Sequence, residues 1–307
     1  MSFYPRATTT PEVSQLTETL LSQIMSVMGL KRANLLTRTL HGIFHTPARR
    51  MAKLLVELDQ NISQQNLYYA ADIFVRNFVS HYECSGSETI PKQGPLMVVS
   101  NHPAAYDVFI LVAAIKRPDL MVLASDIQII QMLPHMAEHV IPVPYHIPSR
   151  LHTIRATEQH LQDGGAIFLF PRGNIEPDPA VSPGAEQSLL DWSSSVGHFV
   201  HNVPETISVV AAASGMLSAK WYKNPLINIW KKYEQRQKVA EIFQVASQLF
   251  TGRVPTTNPR VTFSPPLTIN ELGGESAGAG VILASLTSHV RNLLASHQQP
   301  RDHGFIS

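Results

Sequence analysis

Short apolar runs of β-forming residues alternate with longer helical patterns between residues 84 and 295, and this alternation restricts the fold more than any other feature. Strands that alternate with helices typically form a mostly parallel sheet in a layered α/β domain. The predicted strands are residues 96–100, 120–124, 140–143, 166–170, 207–213 and 260–263. The predicted helices are residues 107–115, 149–162, 186–200, 226–250 and 278–295.

Residues 12–80 show a different pattern, in which apolar residues recur at helical spacing without a β-type run. This pattern predicts a small helical bundle. We therefore expect an N-terminal helical bundle over residues 1–82, followed by an α/β layered domain over residues 83–307, with a mostly parallel central sheet flanked by helices. Residues 297–307 resemble a frayed tail.

Composition excludes several classes of protein. The formal charge of +1 on 307 residues supplies no overall field that would attract nucleic acid. The single cysteine, Cys84, rules out an intramolecular disulfide and indicates a reducing compartment. The first ten residues lack the apolar core of a signal peptide, and no apolar run approaches the roughly 20 residues that span a bilayer. We expect a cytoplasmic protein, at most peripheral at the inner membrane face.

The segment NHPAAYD, residues 101–107, joins a predicted strand to the helix that follows. Asp107 falls in the first turn of that helix, where the carboxylate is stabilised and can accept a hydrogen bond from one imidazole nitrogen of His102. The other nitrogen can then take a proton from a hydroxyl or amine that attacks a carbonyl, while nearby backbone amides hold the oxyanion. The alternative is a helix-capping Asp beside a structural His.

No covalent intermediate is needed for such a transfer. A G-x-S-x-G nucleophile elbow is absent from the sequence. Cys84 has no neighbour that marks it as a nucleophile. We therefore expect direct transfer to the acceptor.

The same seven residues resemble the N-H-x4-D signature of the glycerolipid acyltransferases, the superfamily of glycerol-phosphate and lysophosphatidate acyltransferases. Further segments resemble the later blocks of that family, in the family's order. They are SDIQIIQMLPHMAEHVIPV (125–143), GGAIFLFPRGN (164–174), ISVVAAASG (207–215) and VTFSPPLTINEL (261–272).

The resemblance implies a role in phospholipid biosynthesis, with His102 as the general base and Asp107 as the residue that orients it. The implied donor is acyl-CoA or acyl-carrier protein, and the implied acceptor is glycerol phosphate or a lysophospholipid. The resemblance implies neither a metal nor a redox cofactor. The residues predicted to bind substrate are Asn101, Arg150, Arg155, Arg172 and Gly173.

Two departures from the family leave alternatives open. Arg172 stands where the third block usually has Glu, and no arginine directly follows residues 140–143. Arg172 is either a forked cation for a phosphate or carboxylate, or one half of a surface ion pair with Glu176 or Asp178. Because the family's Glu is missing, a non-catalytic lipid or acyl-carrier binder with the same fold is the second hypothesis.

Two other patterns allow different interpretations. HMAEH, residues 135–139, matches the H-x-x-E-H pattern of zinc peptidases, but it leaves only about one turn of helix before the next strand. Residues 220–238 interleave aromatic side chains with lysines, as at a membrane interface, although an ordinary amphipathic helix has the same composition.

Overall fold

The computed structural model describes residues 12–30, 35–125, 127–146, 150–254 and 257–298. The strands in these residues are β1 (Glu83–Ser85), β2 (Leu96–Ser100), β3 (Leu120–Ser125), β4 (Val140–Val143), β5 (Ala166–Leu169), β6 (Ile207–Ser214) and β7 (Arg260–Phe263). The helices are α1 (Val13–Val27), α2 (Leu35–Gln64), α3 (Leu67–Val75), α4 (Asp107–Ile115), α5 (Gln128–Gln131), α6 (Pro134–Ala137), α7 (Arg150–Gln162), α8 (Ala185–Ser188), α9 (Ser195–Asn202), α10 (Ala219–Tyr222), α11 (Tyr233–Thr251) and α12 (Ala279–Gln298).

The strands form one sheet in the order β1-β7-β6-β2-β5-β3-β4. Every neighbouring pair is parallel except β6 and β7, which run antiparallel. The predicted α/β class with a mostly parallel central sheet is therefore confirmed. Strand β2 lies in the middle, between β6 and β5, so the residues that follow it lie at the carboxyl edge of the sheet, where sites form in this class.

Successive residues of the central strands face opposite layers of helices. Val98 belongs to the cluster that includes α2, α3 and α4, whereas Val99 belongs to the cluster that includes α9 and α12. This follows from the two-residue period of a strand. Because both faces of the sheet are covered by helices, the central strands are apolar almost throughout, and these apolar runs made the strands predictable from the sequence.

The N-terminal helices pack on the first face of the sheet. Leu16 of α1, Leu58 of α2 and Phe74 of α3 share one hydrophobic cluster with sheet residues such as Val98. Helix α2 continues for 30 residues through Pro47. A domain boundary at residues 82 and 83 stays a prediction.

Two predicted helices are shorter than the sequence indicated. Residues 186–200 divide into α8, a 3-10 turn at Leu189–Asp191 and α9, because Trp192 turns inward and is only 5% exposed. The helix predicted from residue 226 begins at Tyr233, since Pro225–Ile229 forms a separate 3-10 helix in which the Asn224 side chain accepts from Leu226 N–H.

The prediction of a frayed tail from His297 is wrong for its first residues. Helix α12 runs to Gln298, and the His297 ring bonds Ser214 Oγ at 2.8 Å and Thr262 Oγ1 at 2.9 Å. These contacts hold the end of α12 against β6 and β7. The rest of the predicted tail, like residues 1–11, lies outside the described residues. None of the described helices combines the length and the apolar character that crossing a bilayer requires.

Candidate active site

His102 and Asp107 meet at the carboxyl end of β2, as the sequence predicted. The Nδ1 atom of His102 lies 2.9 Å from Asp107 Oδ1 and 3.1 Å from Oδ2. Asp107 is the first residue of α4 and is fully buried, and its Oδ2 also accepts from Ala104 N–H at 3.0 Å. The carboxylate therefore fixes both the ring and the turn that carries it.

The imidazole ring is restrained on its face as well. The Phe170 ring stacks on it with a centroid separation of 3.8 Å and an interplanar angle of 14°. The His102 side chain keeps 18% exposure. Because Asp107 engages Nδ1, Nε2 is the nitrogen that is left to accept a proton from a bound molecule.

Neighbouring carboxylates change the pKa of His102. Burial lowers the pKa of His102, but the charges of Asp107, Glu176 and Glu241 outweigh this and raise the pKa above its ordinary value. Burial raises the pKa of Asp107, although His102 opposes the shift. The carboxylates therefore stabilise the imidazolium, which is the form of the ring after it has accepted a proton.

Glu176 locks the backbone of His102. Its Oε2 accepts from His102 N–H at 2.8 Å, and its own N–H donates to His102 O at 2.7 Å. The second carboxylate oxygen accepts from Ser188 Oγ and Trp192 Nε1, both at 2.9 Å. Glu176 has no exposed surface, and burial raises its pKa. The sequence analysis had considered this residue only as a partner of Arg172.

Helix α11 carries a line of buried polar side chains, which we call the polar stripe: Gln237, Glu241, Gln244 and Gln248. Gln237 Nε2 donates to Pro103 O and Glu176 O, each at 2.6 Å, and its Oε1 accepts from Asp178 N–H at 3.2 Å. One side chain thus joins the loop after β2 to the loop after β5.

The next members of the polar stripe continue this bracing. Glu241 Oε1 accepts from Ala105 N–H at 2.8 Å, and burial raises its pKa to about 7. Gln244 Nε2 donates to Met216 O at 3.1 Å, and its Oε1 accepts from Ser218 N–H at 2.7 Å. The stripe therefore connects three loops at the carboxyl edge of the sheet.

The backbone amides of the motif are already occupied. The N–H groups of His102, Ala104 and Ala105 donate to Glu176, Asp107 and Glu241 respectively, and Pro103 has no N–H. These three amides are therefore not free to hold an oxyanion, and they shape the loop instead. An oxyanion site on other backbone amides near the motif stays a prediction.

Residues 81–218 match the family model named Acyltransferase, and this range contains His102, Asp107 and Glu176. The matched range covers slightly less than half of the chain and spans the loops that follow β2 and β5. The N-H-x4-D segment and the segment 164–174, on which the resemblance to the glycerolipid acyltransferases rests in part, both lie inside the matched range. The match ends before α10, so α11, β7 and α12 lie outside it.

Comparison with solved structures and curated sequences adds two findings. The chain is similar to the crystal structure of the 1-acyl-sn-glycerophosphate (LPA) acyltransferase PlsC from Thermotoga maritima, at 12% identity and a TM-score of 0.45, over 95% of this chain and 100% of that one. No curated protein sequence matches.

Arg172 of the acyltransferase domain is held by ion pairs. It contacts Asp191 Oδ2 at 3.3 Å and Glu234 Oε1 at 2.5 Å, and it donates to Ile175 O at 2.8 Å. The ion-pair alternative of the sequence analysis had the wrong partners, because Glu176 and Asp178 point into the protein interior. A substrate-binding role for Arg172 stays a prediction. Gly173, with a positive φ of 66°, is exposed beside it.

The other predicted substrate-binding residues lie elsewhere. Asn101 is 1% exposed and exchanges two hydrogen bonds with the backbone of Ala213, which ties β2 to β6. Arg150 and Arg155 are exposed on α7, which follows β4. Strand β4 is three positions from β2, roughly 14 Å across the sheet. The structure does not bring these two arginines to His102.

A cleft of about 380 Å³ lies beside the domain's loop after β5. Its lining residues are Pro177, Ser182, Pro183, Gly184, Gln187, Ser188, Asp191, Tyr222, Lys231, Tyr233 and Arg236. His102 is not among them. Arg172 lies next to the cleft, because it pairs with Asp191 and lies 5.9 Å from the centre of the Tyr233 ring, and both of these residues line the cleft.

Proposed function

We propose that the protein is an O-acyltransferase that moves a fatty acyl group from acyl-CoA or acyl-carrier protein to a hydroxyl of glycerol phosphate or a lysophospholipid. One observation carries the proposal. It is an imidazole held at Nδ1 by the buried carboxylate of Asp107, inside a domain of the acyltransferase family.

The proposed reaction needs one base. His102 Nε2 takes the proton of the acceptor hydroxyl as the oxygen attacks the thioester carbonyl carbon. A carbon–oxygen bond forms, the carbon–sulfur bond breaks, and the proton passes from the imidazolium to the leaving thiolate. Asp107 stabilises the imidazolium, which the raised pKa of His102 reflects.

The oxyanion and the acceptor need donors other than the motif amides. Two cations come from the elements that flank His102, namely Arg172 after β5 and Lys238 on α11. Lys238 Nζ donates to Asn174 Oδ1 at 2.7 Å, and burial lowers its pKa. We assign the phosphate of the acceptor to this pair, because forked and point cations suit phosphate oxygens.

Release of free thiol tests the proposal directly. The purified protein is incubated with acyl-CoA or acyl-carrier protein and with glycerol 3-phosphate or lysophosphatidate. We expect thiol release by the native protein and loss of at least about a hundredfold in His102→Ala, since general-base catalysis contributes on this scale. Asp107→Asn should also lose activity, because the ring is no longer oriented.

Two outcomes would contradict the proposal. Undiminished turnover in a folded His102→Ala variant would remove the base from the mechanism. Binding of the thioester without thiol release under any acceptor would favour the non-catalytic lipid or acyl-carrier binder, the alternative suggested by Arg172 in place of the family's Glu.

A further inference from the structure

The turn between α10 and α11 presents two large apolar side chains to solvent. In the 3-10 helix Pro225–Ile229, Leu226 is 68% exposed and Ile229 is 70% exposed, while Ile227 between them is 1% exposed. Asn224 Oδ1 accepts from Leu226 N–H at 3.0 Å. The buried Ile227 and this cap anchor the turn, so the exposure of its neighbours is built into the fold.

The segment that carries these two side chains holds positive charges only. The exposed lysines of the segment are Lys220, Lys223, Lys231 and Lys232. Residues 206–233 contain neither Asp nor Glu. An apolar tip with exposed lysines before and after it in the chain complements a lipid surface, which has anionic headgroups outside and apolar acyl chains beneath.

Two tryptophans fix the segment to the body of the protein. Trp221 stacks on Phe243 of α11 at a centroid separation of 6.1 Å, and Trp230 Nε1 donates to Met28 O at 3.3 Å. Both are partly exposed. Half-buried tryptophans beside lysines are typical of the level of lipid headgroups.

We propose that residues 220–232 dock the protein on an anionic lipid bilayer. Leu226 and Ile229 enter the boundary of the acyl chains, and the four lysines contact the headgroups. Outward-facing apolar side chains at the tip of a turn suit a deformable bilayer better than a rigid protein groove. Tyr222 and Lys231 also line the cleft, so the docked bilayer lies beside it. The proposal is independent of the chemistry at His102.

Vesicle binding measures this directly. The protein is sedimented with vesicles of phosphatidylcholine alone and with vesicles that contain about a third of phosphatidylglycerol. Binding to the anionic vesicles should be at least about tenfold tighter, because each lysine near the surface strengthens the affinity several-fold. Leu226→Ser with Ile229→Ser should weaken that binding at least about tenfold, through loss of apolar burial. High salt should weaken it as well.

A matched control uses apolar residues on the other face of the sheet. Leu151 on α7 and Val281 on α12 are 53% and 55% exposed, and their double serine variant should bind as the native protein does. His102→Ala should also keep vesicle binding, which separates this proposal from the proposed activity. Circular dichroism and thermal melting confirm that each variant is folded.

Three results would overturn the proposal. One is equal binding of the native protein to neutral and anionic vesicles, or none to either. Another is unchanged binding by the Leu226 and Ile229 variant. The last concerns the same Leu226 and Ile229 variant. If it still binds vesicles but no longer binds an acyl-carrier protein, the surface belongs to an acidic protein partner.

Discussion

Helices α11 and α12 are of nearly equal length, 19 and 20 residues, but they bury opposite kinds of side chain. The inward line of α12 is apolar and fully buried: Ile282, Leu286, Val290 and Leu294. The polar stripe of α11 is buried almost as completely, with Gln237 at 0% and Gln244 at 1% exposure. Burying polar groups is costly unless they are hydrogen-bonded, and Gln237, Glu241 and Gln244 bond the backbone of loops at the carboxyl edge of the sheet.

The two helices therefore have different roles: α12 stabilises the fold, and α11 positions the loops around the candidate site. Helix α12 contributes apolar burial to the second face of the sheet, which stabilises the whole domain. Helix α11 gains less from its stripe, because a hydrogen bond in the fold replaces one to water. What α11 supplies is a fixed geometry for loops that would otherwise move independently, and a general base needs such geometry.

The largest expected effect on stability is on α12. Leu286→Ala should lower the free energy of unfolding by about 2–5 kcal/mol, because it removes a fully buried side chain and leaves a cavity. Turnover at temperatures where the variant is folded should not change. Urea unfolding and thiol release measure the two quantities. Val281→Ala, at a 55% exposed position, should change stability by less than about 0.5 kcal/mol. A loss of turnover in folded Leu286→Ala would remove the distinction between the helices.

A smaller stability effect, with a loss of activity, is expected on α11. Gln237→Met removes the donor shared by Pro103 O and Glu176 O, and should cost about 1–3 kcal/mol and lower kcat at least about tenfold. Gln248→Met is the matched control, because Gln248 bonds Phe78 O at 2.7 Å, three turns along the same helix. It should cost less stability, because Gln248 makes one hydrogen bond where Gln237 makes three, and it should leave kcat intact. Equal losses of kcat in both variants would contradict a positioning role for Gln237.

The polar stripe should also make stability depend on pH. The pKa of Glu241 is about 7 in the fold against an ordinary 4.5, so the folded protein binds this proton more tightly than the unfolded chain. Its contribution to stability is complete below about pH 4.5 and is lost as the pH rises through 7, by about 3 kcal/mol at most. Glu241→Gln should remove this part of the decline between pH 5 and pH 8 in urea unfolding. An unchanged slope would place the titration elsewhere.

The smallest effect concerns the pH dependence of activity. Because a base must be neutral, the raised pKa of His102 should place the acid limb of kcat/KM above the usual histidine value of about 6.5. Glu241→Gln removes one of the charges that raise this pKa, so the limb should move to lower pH by less than about one unit. Gln248→Met should leave the limb in place, and a shift to higher pH in Glu241→Gln would reverse the proposed sign.

Most strands were predictable because central parallel strands are buried on both faces. Residues 96–100, 140–143 and 260–263 form strands with the predicted bounds. Strand β1, Glu83–Ser85, was missed, since three residues of half-exposed edge strand carry no apolar run. The partner of β1 is β7, about 177 residues along the chain, and local sequence does not reveal it, whereas the edge strand β4 carries an apolar run of its own.

The candidate site was predictable in part. His102 and Asp107 are close in sequence, so the position of one strand end sufficed to bring them together. Glu176 and Glu241 reach the same loop from 74 and 136 residues away. In isolation the Gln and Glu residues of α11 resemble a solvated helix face. Their helical spacing was the available signal, but it does not show whether that face meets water or a loop backbone.

The pairing of β1 has a consequence for how the chain completes its fold during synthesis. Glu83 pairs with Arg260 and Ser85 with Thr262, and β7 is the only neighbour of β1 in the described sheet. A ribosome must therefore release more than 170 further residues before this edge can close, and contacts of such long range form slowly. Until β7 is made, the outer side of β6 is an open strand edge that can pair with other chains.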